Sequence, residues 1–218
     1  MYRDILSLSK GLVGTVYERE YFVGANTPIL FGYASIFYRI NTWFRFRKIA
    51  SLIRRFGGKG NTLDVGCALG HSLVRFESIG LKPVGCDISA WATKRARKIH
   101  PHINIIRANA LALPFRSGAF DTVTAFETLE HCSDLNLALR EIRRVIKPKG
   151  LVIASVPTTN LNRTYDDETH LWHKSLREWL TLFESHFRIL SVDFFMKFMK
   201  YVDGKTCNTF ITLRTRKD

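Results

Sequence analysis

Residues 61–76 read NTLDVGCALGHSLVRF, an apolar run that ends at Asp64 and Val65, breaks at Gly66, Ala68 and Gly70, and resumes with helical spacing. A strand that ends in glycine-x-small-x-glycine and turns straight into a helix lets backbone approach a ligand closely, because a bulky β-carbon there would stand in the way. Turns of this kind hold nucleotide-like ligands at the carboxyl edge of a parallel sheet. Asp64 narrows the choice. It lies two residues before the first glycine, where a pyrophosphate-binding turn carries an apolar residue because the two negative groups repel. A ligand bearing positive charge fits better. Downstream, VGCDIS puts Asp87 at the end of the next strand, about 20 residues past Gly66, the distance at which an acid accepts hydrogen bonds from ribose hydroxyls.

Outward from this stretch, short β-rich runs alternate with helical patterns, the signature of β-α-β units and a parallel sheet. TLDV, KPVGCDI, INIIRA and DTVTAF read as strands, and LVIASV follows the turn PKG. GHSLVRFESIG, closed by Gly80, and SAWATKRARKIH, capped by Ser89 and stopped by Pro101, read as helices. In DLNLALREIRRVIK apolar residues fall at 135, 139, 142 and 145/146, a helical stripe. Past Pro157 the polar TTNLNRTYDDETHLWHK reads as a loop or short lid before the helix SLREWLTLFESH. FRILSVDFF and CNTFITLRT, separated by DGK and its neighbours, suggest a closing antiparallel pair.

The opening residues break the alternation. Residues 36 to 56 carry apolar side chains at 36, 40, 43, 50 and 53 with arginines between them, a basic amphipathic helix expected to lay its apolar face on the sheet. The organisation is therefore an N-terminal helical cap or lid (1–60), a Rossmann-like core (61–157), and a substrate-side loop, helix and closing hairpin of the same domain (158–218).

A chain of 218 residues with 46% hydrophobic composition can bury one full α/β core. Cys67, Cys86, Cys132 and Cys207 are scattered singly, which favours reduced thiols and a cytoplasmic protein over a disulfide framework or a zinc site. MYRDILSLSKGLVG mixes charge into its apolar residues and reads as mature sequence. PILFGYASIFYRINTWFRF carries Arg39 and Arg45 within one span's length, so no transmembrane segment is expected. The net charge of +14 favours anionic partners, and half of it is the surplus of ten basic over three acidic residues in positions 1–60. That surplus serves a solvated helix face, peripheral membrane contact or nucleic acid.

LDVGCALG, GCDIS, ANALALPF, FDTVTAFETLEH and LREIRRVIKPKGLVIASVP stand in one order and spacing. Together they resemble the class I S-adenosylmethionine-dependent methyltransferases, and among them the subgroup that methylates small molecules and lipids. The resemblance covers residues 61 to 157 closely and the first sixty loosely. It implies an α/β, Rossmann-like three-layer sandwich whose seven-stranded sheet is mostly parallel with an antiparallel closing strand, S-adenosylmethionine as cofactor, and its demethylated product S-adenosylhomocysteine. On that resemblance Gly66, Cys67, Ala68 and Gly70 form the turn under the methionine and ribose, with Asp64 near the ligand's amino group. Asp87 takes the ribose hydroxyls, with Ile88 beside it. Asn109 contacts the adenine amine, Ala110 and Leu111 flank the ring, and Phe126 walls the pocket. Ala68 stands where the family has its middle glycine, and Asn109 where it commonly has aspartate. The alternative duties of the two acids are structural: Asp64 as a strand-end cap, Asp87 as a cap for the helix near Ser89.

Methyl transfer from a sulfonium is an in-line displacement that asks the protein to align donor and acceptor and exclude water. A base is needed only where the acceptor must lose a proton. His131, His170 and His173 are the candidates. Tyr17, Tyr21 and Phe22 in VYEREYF suit a lid, since aromatic faces attract a sulfonium. No Asn/Asp-Pro-Pro-aromatic tetrad follows the fourth strand, where FETL stands, which argues against amide-type N-methylation. No carboxylate set of the metal-dependent catechol type is evident, and no metal is expected. The expected acceptor is a small, lipid-like or glycan molecule. Two rivals remain: an RNA methyltransferase gripping phosphates with its basic helix, and a non-catalytic nucleotide-binding protein or a nicotinamide oxidoreductase.

Overall fold

The computed structural model describes residues 17, 19–23, 36–158, 169–194 and 208–215. Outside these lie the opening segment 1–16, most of the expected lid loop (159–168), the FFMKFM run beyond Phe194, the DGK turn and Cys207. In chain order the elements are α1 (Arg19–Val23), α2 (Ile36–Arg55), β1 (Asn61–Val65), α3 (His71–Glu77), β2 (Lys82–Asp87), α4 (Ala90–Ile99), β3 (Asn104–Arg107) and β4 (Phe120–Phe126). A 3-10 turn (Leu129–His131), α5 (Leu135–Val145), β5 (Ile146–Pro157), α6 (Leu176–His186), β6 (Arg188–Phe194) and β7 (Asn208–Arg214) complete the list.

The strands form one seven-stranded sheet in the order β3-β2-β1-β4-β5-β7-β6. β1 pairs in parallel with β2 and β4, β2 with β3, and β4 with β5. β7 runs antiparallel to both β5 and β6. The mostly parallel α/β sheet expected from the alternation is thus present, with its reversal of strand order between β1 and β4. In such sheets that reversal opens a crevice at the carboxyl ends of the strands.

Local chemistry sets the helix starts. Ser89 Oγ accepts the Ala92 N–H before α4, Asp134 accepts that of Leu137 before α5, and Ser175 with Glu178 makes a reciprocal capping box at α6. The α5 stripe buries Leu135, Leu139, Ile142 and Val145 against one face of the sheet, with Trp179 and Phe183 of α6 beside them. Trp179 keeps its polar edge satisfied by donating to Pro157 O at 2.9 Å. The other face takes Leu73 and Phe76 of α3, Ala96 of α4, and Ile49, Leu52 and Ile53 of α2, over Leu151, Ile153 and Phe210.

Two expectations change in detail. PKG does not precede the fifth strand but bulges inside it: pairing jumps from Phe120↔Ile146 to Thr122↔Leu151, with Lys149 at φ 61. In α2, Ala50 and Ile53 are buried as expected, whereas Trp43 is 45% exposed. Trp43 stands two turns ahead of Ala50 and meets Phe44 and the Arg47 guanidinium of its own helix instead of the sheet. Lys48 pins α2 to β6 through Asp193 at 2.6 Å, and Arg214 donates to Phe56 O at the same distance.

Candidate functional site

A cavity of about 310 Å³ opens at the carboxyl ends of β1, β2, β3 and β4. Its walls are the turn after β1 (Gly66 to Leu69), Asp87 and Ile88, Ala108 to Leu111, and Phe126 to Thr128. N-terminal residues close it: Tyr17, Tyr21 and Phe22 from one side, Arg45, Phe46 and Ile49 of α2 from another. Phe22 stacks on Trp91 of α4 with ring centroids 5.5 Å apart, which seats α1 over the crevice.

The turn is built from left-handed backbone. Gly66, Ala68 and Gly70 have φ of 76, 47 and 75°. Their bareness meets protein rather than open space: a β-carbon on Gly66 would strike the Thr128 side chain, and one on Gly70 would come within 2.9 Å of Ile105. Thr128 cannot swing away cheaply, because its hydroxyl shares its one proton between Val65 O (3.1 Å) and Phe126 O (3.0 Å). Gly70 lies behind the cavity wall and starts α3. So the glycine pattern shapes the turn first and makes room for a ligand as a consequence.

Both acids sit at this turn. Asp64 is buried, and its carboxylate accepts the hydroxyls of Ser72 and of Thr124, the latter at 2.6 Å. Burial pushes its pKa up from 3.8 to about 6, only partly offset by those two bonds. Asp87 Oδ2 accepts the Ala68 N–H and Oδ1 the Ser89 N–H, each at 2.9 Å. Burial raises its pKa too, and these amide bonds pull it back. The cap of α4 is Ser89, not Asp87; Asp87 instead ties the turn after β1 to the residue that caps α4, and it borders the cavity.

Asn109 Oδ1 accepts the Leu111 N–H at 2.9 Å. That oxygen keeps a second lone pair, so Asn109 can still accept from a purine amine, and its NH2 is a donor. Cys67 also borders the cavity, but burial raises its thiol pKa well above the ordinary value, so it offers no thiolate.

Of the three histidines only His131 lines the cavity. Tyr17 meets it edge to face at 5.4 Å, and His170 lies against it at 4.6 Å. His173 is one step further back, 6.5 Å from His170.

Two residues that line the cavity were not singled out by the sequence. Arg45 reaches over Phe210, with Nη2 3.3 Å from Ser155 Oγ and 3.7 Å from Glu127 Oε1. Among the described residues its Nε and Nη1 have no hydrogen-bond or ion-pair partner, which leaves part of the guanidinium for a ligand. Glu127, at φ 49, accepts the Ser155 hydroxyl at 2.6 Å. A non-glycine residue held in that conformation directly after a strand at a crevice is a recognised mark of a functional position.

The family described as "Methyltransferase domain" matches residues 63–154. Over 119 residues the chain is 27% identical to a "Probable S-adenosylmethionine-dependent methyltransferase" of Mycolicibacterium smegmatis, covering 54% of this chain and 46% of that protein. It is 35% identical over 105 residues to a demethylmenaquinone methyltransferase of Streptomyces griseus, covering 47% and 46% of the two chains. The chain thus spans about half the length of the curated relatives it matches. The crystal structure of PH0226 protein from Pyrococcus horikoshii superposes with a TM-score of 0.70 at 19% identity, over 91% of this chain and 99% of that one, a likeness of fold.

Proposed function

We propose that the chain is a class I S-adenosylmethionine-dependent methyltransferase, supported by the family match over residues 63–154, and that it transfers a methyl group to a small-molecule acceptor that enters beside His131. The observation that carries the reading is one cavity bordered by buried Asp64, by Asp87 and by a guanidinium whose Nε and Nη1 have no partner among the described residues. S-Adenosylmethionine presents the complementary set: a cationic centre, a ribose diol and a carboxylate. The residues present fit it.

Asp87 would receive the ribose hydroxyls on the lone pairs that its two amide bonds leave over. Ala110 and Leu111 would flank the purine, and Asn109 would accept from its amine through Oδ1. Arg45 holds the carboxylate through Nε and Nη1, in the fork geometry that a guanidinium suits. Asp64 lies beneath the turn and favours the positive end of the ligand by its charge. When bound, the cofactor supplies an activated methyl group on sulfur. Tyr17, Tyr21 and Phe22 with α2 keep water out and turn aromatic faces to that charge. Tyr17, α1 and α2 would act as a cap over this cavity. An acceptor proton, where there is one, leaves at the end formed by His131 with His170 behind it.

Enclosure by these side chains favours a compact acceptor over a polynucleotide. Thermal denaturation with S-adenosylhomocysteine, S-adenosylmethionine and NAD tests the reading, because a specific ligand raises the melting temperature by mass action. The first two are expected to raise it by several degrees at 1 mM; stabilisation by NAD alone overturns the assignment.

A further inference from the structure

Behind the cavity wall the fold brings together three metal-ligand side chains from two distant segments. Glu130 and His131 stand side by side in the 3-10 turn after β4, and His170 arrives from the segment that leads to α6. Their ligand atoms all lie within 4.8 Å of one another. Glu130 is fully buried and His170 is 8% exposed, while His131 opens to the cavity. We propose that Glu130, His131 and His170 hold a divalent transition-metal ion at the acceptor end of the cavity.

The donor set selects the kind of ion. Two imidazoles and one carboxylate suit zinc, cobalt, manganese or iron, whereas magnesium and calcium prefer oxygen ligands throughout. Around such an ion the donor atoms stand about 3 to 3.5 Å apart, as metal bonds of about 2.0 to 2.2 Å require. The three side chains have to close from at most 4.8 Å to that spacing.

That backbone is tied on both sides of the site. The Leu171 N–H donates to Glu130 O at 2.9 Å, and Trp172 Nε1–H donates to Cys132 O at 2.7 Å. His131 Nδ1 lies 3.0 Å from Thr169 O. An N–H given to a backbone carbonyl is how a ligating imidazole is oriented and left with its electron pair on the other nitrogen. Three protein ligands leave a coordination position, and the exposed side of the cluster is the His131 side, toward the cavity.

The site goes beyond the methyl-transfer reading and rests on it only for its use. There the ion would supply a Lewis acid that eases loss of the proton from a hydroxyl acceptor to solvent. The imidazoles then serve as ligands and are not needed as bases.

The whole chain, stripped with a chelator, is titrated with Co2+ followed by visible absorption and with Zn2+ and Mg2+ followed by calorimetry. One Zn2+ or Co2+ per chain is expected, bound at least about 100-fold more tightly than Mg2+. His170→Gln and Glu130→Gln each lower Zn2+ affinity at least about ten-fold. Should Glu130→Gln not fold, His170→Gln carries the comparison. His100→Gln, which breaks the separate His71–His100 pair at 3.3 Å, leaves the affinity unchanged. Absence of stoichiometric uptake, uptake retained in His170→Gln, or uptake lost in His100→Gln overturns the proposal. S-Adenosylhomocysteine affinity is measured alongside: metal uptake without it sinks the methyltransferase reading alone, and the converse sinks the metal site alone.

Discussion

Asp87 Oδ2 accepts the backbone N–H of Ala68 at 2.9 Å, and Ala68 sits at φ 47. The carboxylate at the end of β2 thus clamps the one member of the turn that has a β-carbon in a left-handed conformation. An L-residue held there costs about 1 to 2 kcal/mol, part of which glycine returns as extra freedom in the unfolded chain. Ala68→Gly is therefore expected to stabilise the protein by about 1 kcal/mol, a rise of about 2 to 4 °C in melting temperature for a domain of this size. Calorimetry that shows no rise would mean the strain is already absorbed by the Asp87 clamp.

On the proposed reading Arg45 would tell the two ends of the cofactor apart. Its Nε and Nη1, without a partner among the described residues, would meet the carboxylate that S-adenosylhomocysteine has and methylthioadenosine lacks. Hydrogen bonds to charged groups contribute about 1.5 to 3 kcal/mol, so Arg45→Gln is expected to weaken S-adenosylhomocysteine about 10- to 100-fold and leave methylthioadenosine within two-fold. Equal losses for both ligands in calorimetric titration would show a collapsed pocket instead.

Asp64 makes binding and stability depend on pH in opposite directions. Its folded pKa, about 6, lies above the ordinary 3.8 because burial favours the neutral acid. A raised folded value contributes stability that is fully present below pH 3.8 and is lost as pH rises through about 6. At about 1.4 kcal/mol per pH unit the contribution is about 3 kcal/mol. A cationic ligand above Asp64 wants the carboxylate, so S-adenosylhomocysteine affinity is expected to rise about ten-fold between pH 5 and 7 while unliganded stability falls. Asp64→Asn should flatten both profiles; a binding curve that keeps its slope in that variant places the titration elsewhere.

The sequence made legible what is local. The turn from 66 to 70, the Ser89 cap and the α5 stripe each follow from neighbours within a few positions, and each is where the pattern put it. Asp87 was read as either a ribose acceptor or a cap; Ser89 holds the cap of α4, and Asp87 binds the Ala68 and Ser89 amides at the rim of the cavity. What stayed hidden depends on distant contacts. Arg45 looked like any charge on a basic helix until α2 docked it 110 positions away from its partner Ser155. Glu130 passed as part of a motif, because only the return of the chain at Leu171 brings His170 against it. Trp43 shared a stripe with Ala50, yet a stripe does not tell how far the sheet extends beneath it.

Gly66 offers the sharpest test of what the turn is for. If its bareness admits the ligand, any β-carbon there must abolish binding whatever surrounds it. The geometry gives another cause: the added carbon would meet Thr128, whose Cγ2 would be 2.6 Å away, and the backbone stands at φ 76. Overpacking costs about 1 to 3 kcal/mol and left-handed strain about 1 to 2 kcal/mol, so Gly66→Ala is expected to destabilise by about 3 kcal/mol and to lose S-adenosylhomocysteine. Thr128→Ala removes Oγ1 and Cγ2, leaving only Cβ at 3.0 Å, and gives up the shared hydroxyl bond, a loss of about 1 kcal/mol. In the double variant the backbone strain and that lost bond should persist without the clash, leaving a favourable coupling above about 1 kcal/mol between neighbours in contact. Binding should return to within about ten-fold of the parent, because the new methyl group then occupies space vacated by Thr128 rather than space the nucleoside needs. Additive stabilities with binding still abolished would restore ligand approach as the reason for the glycine.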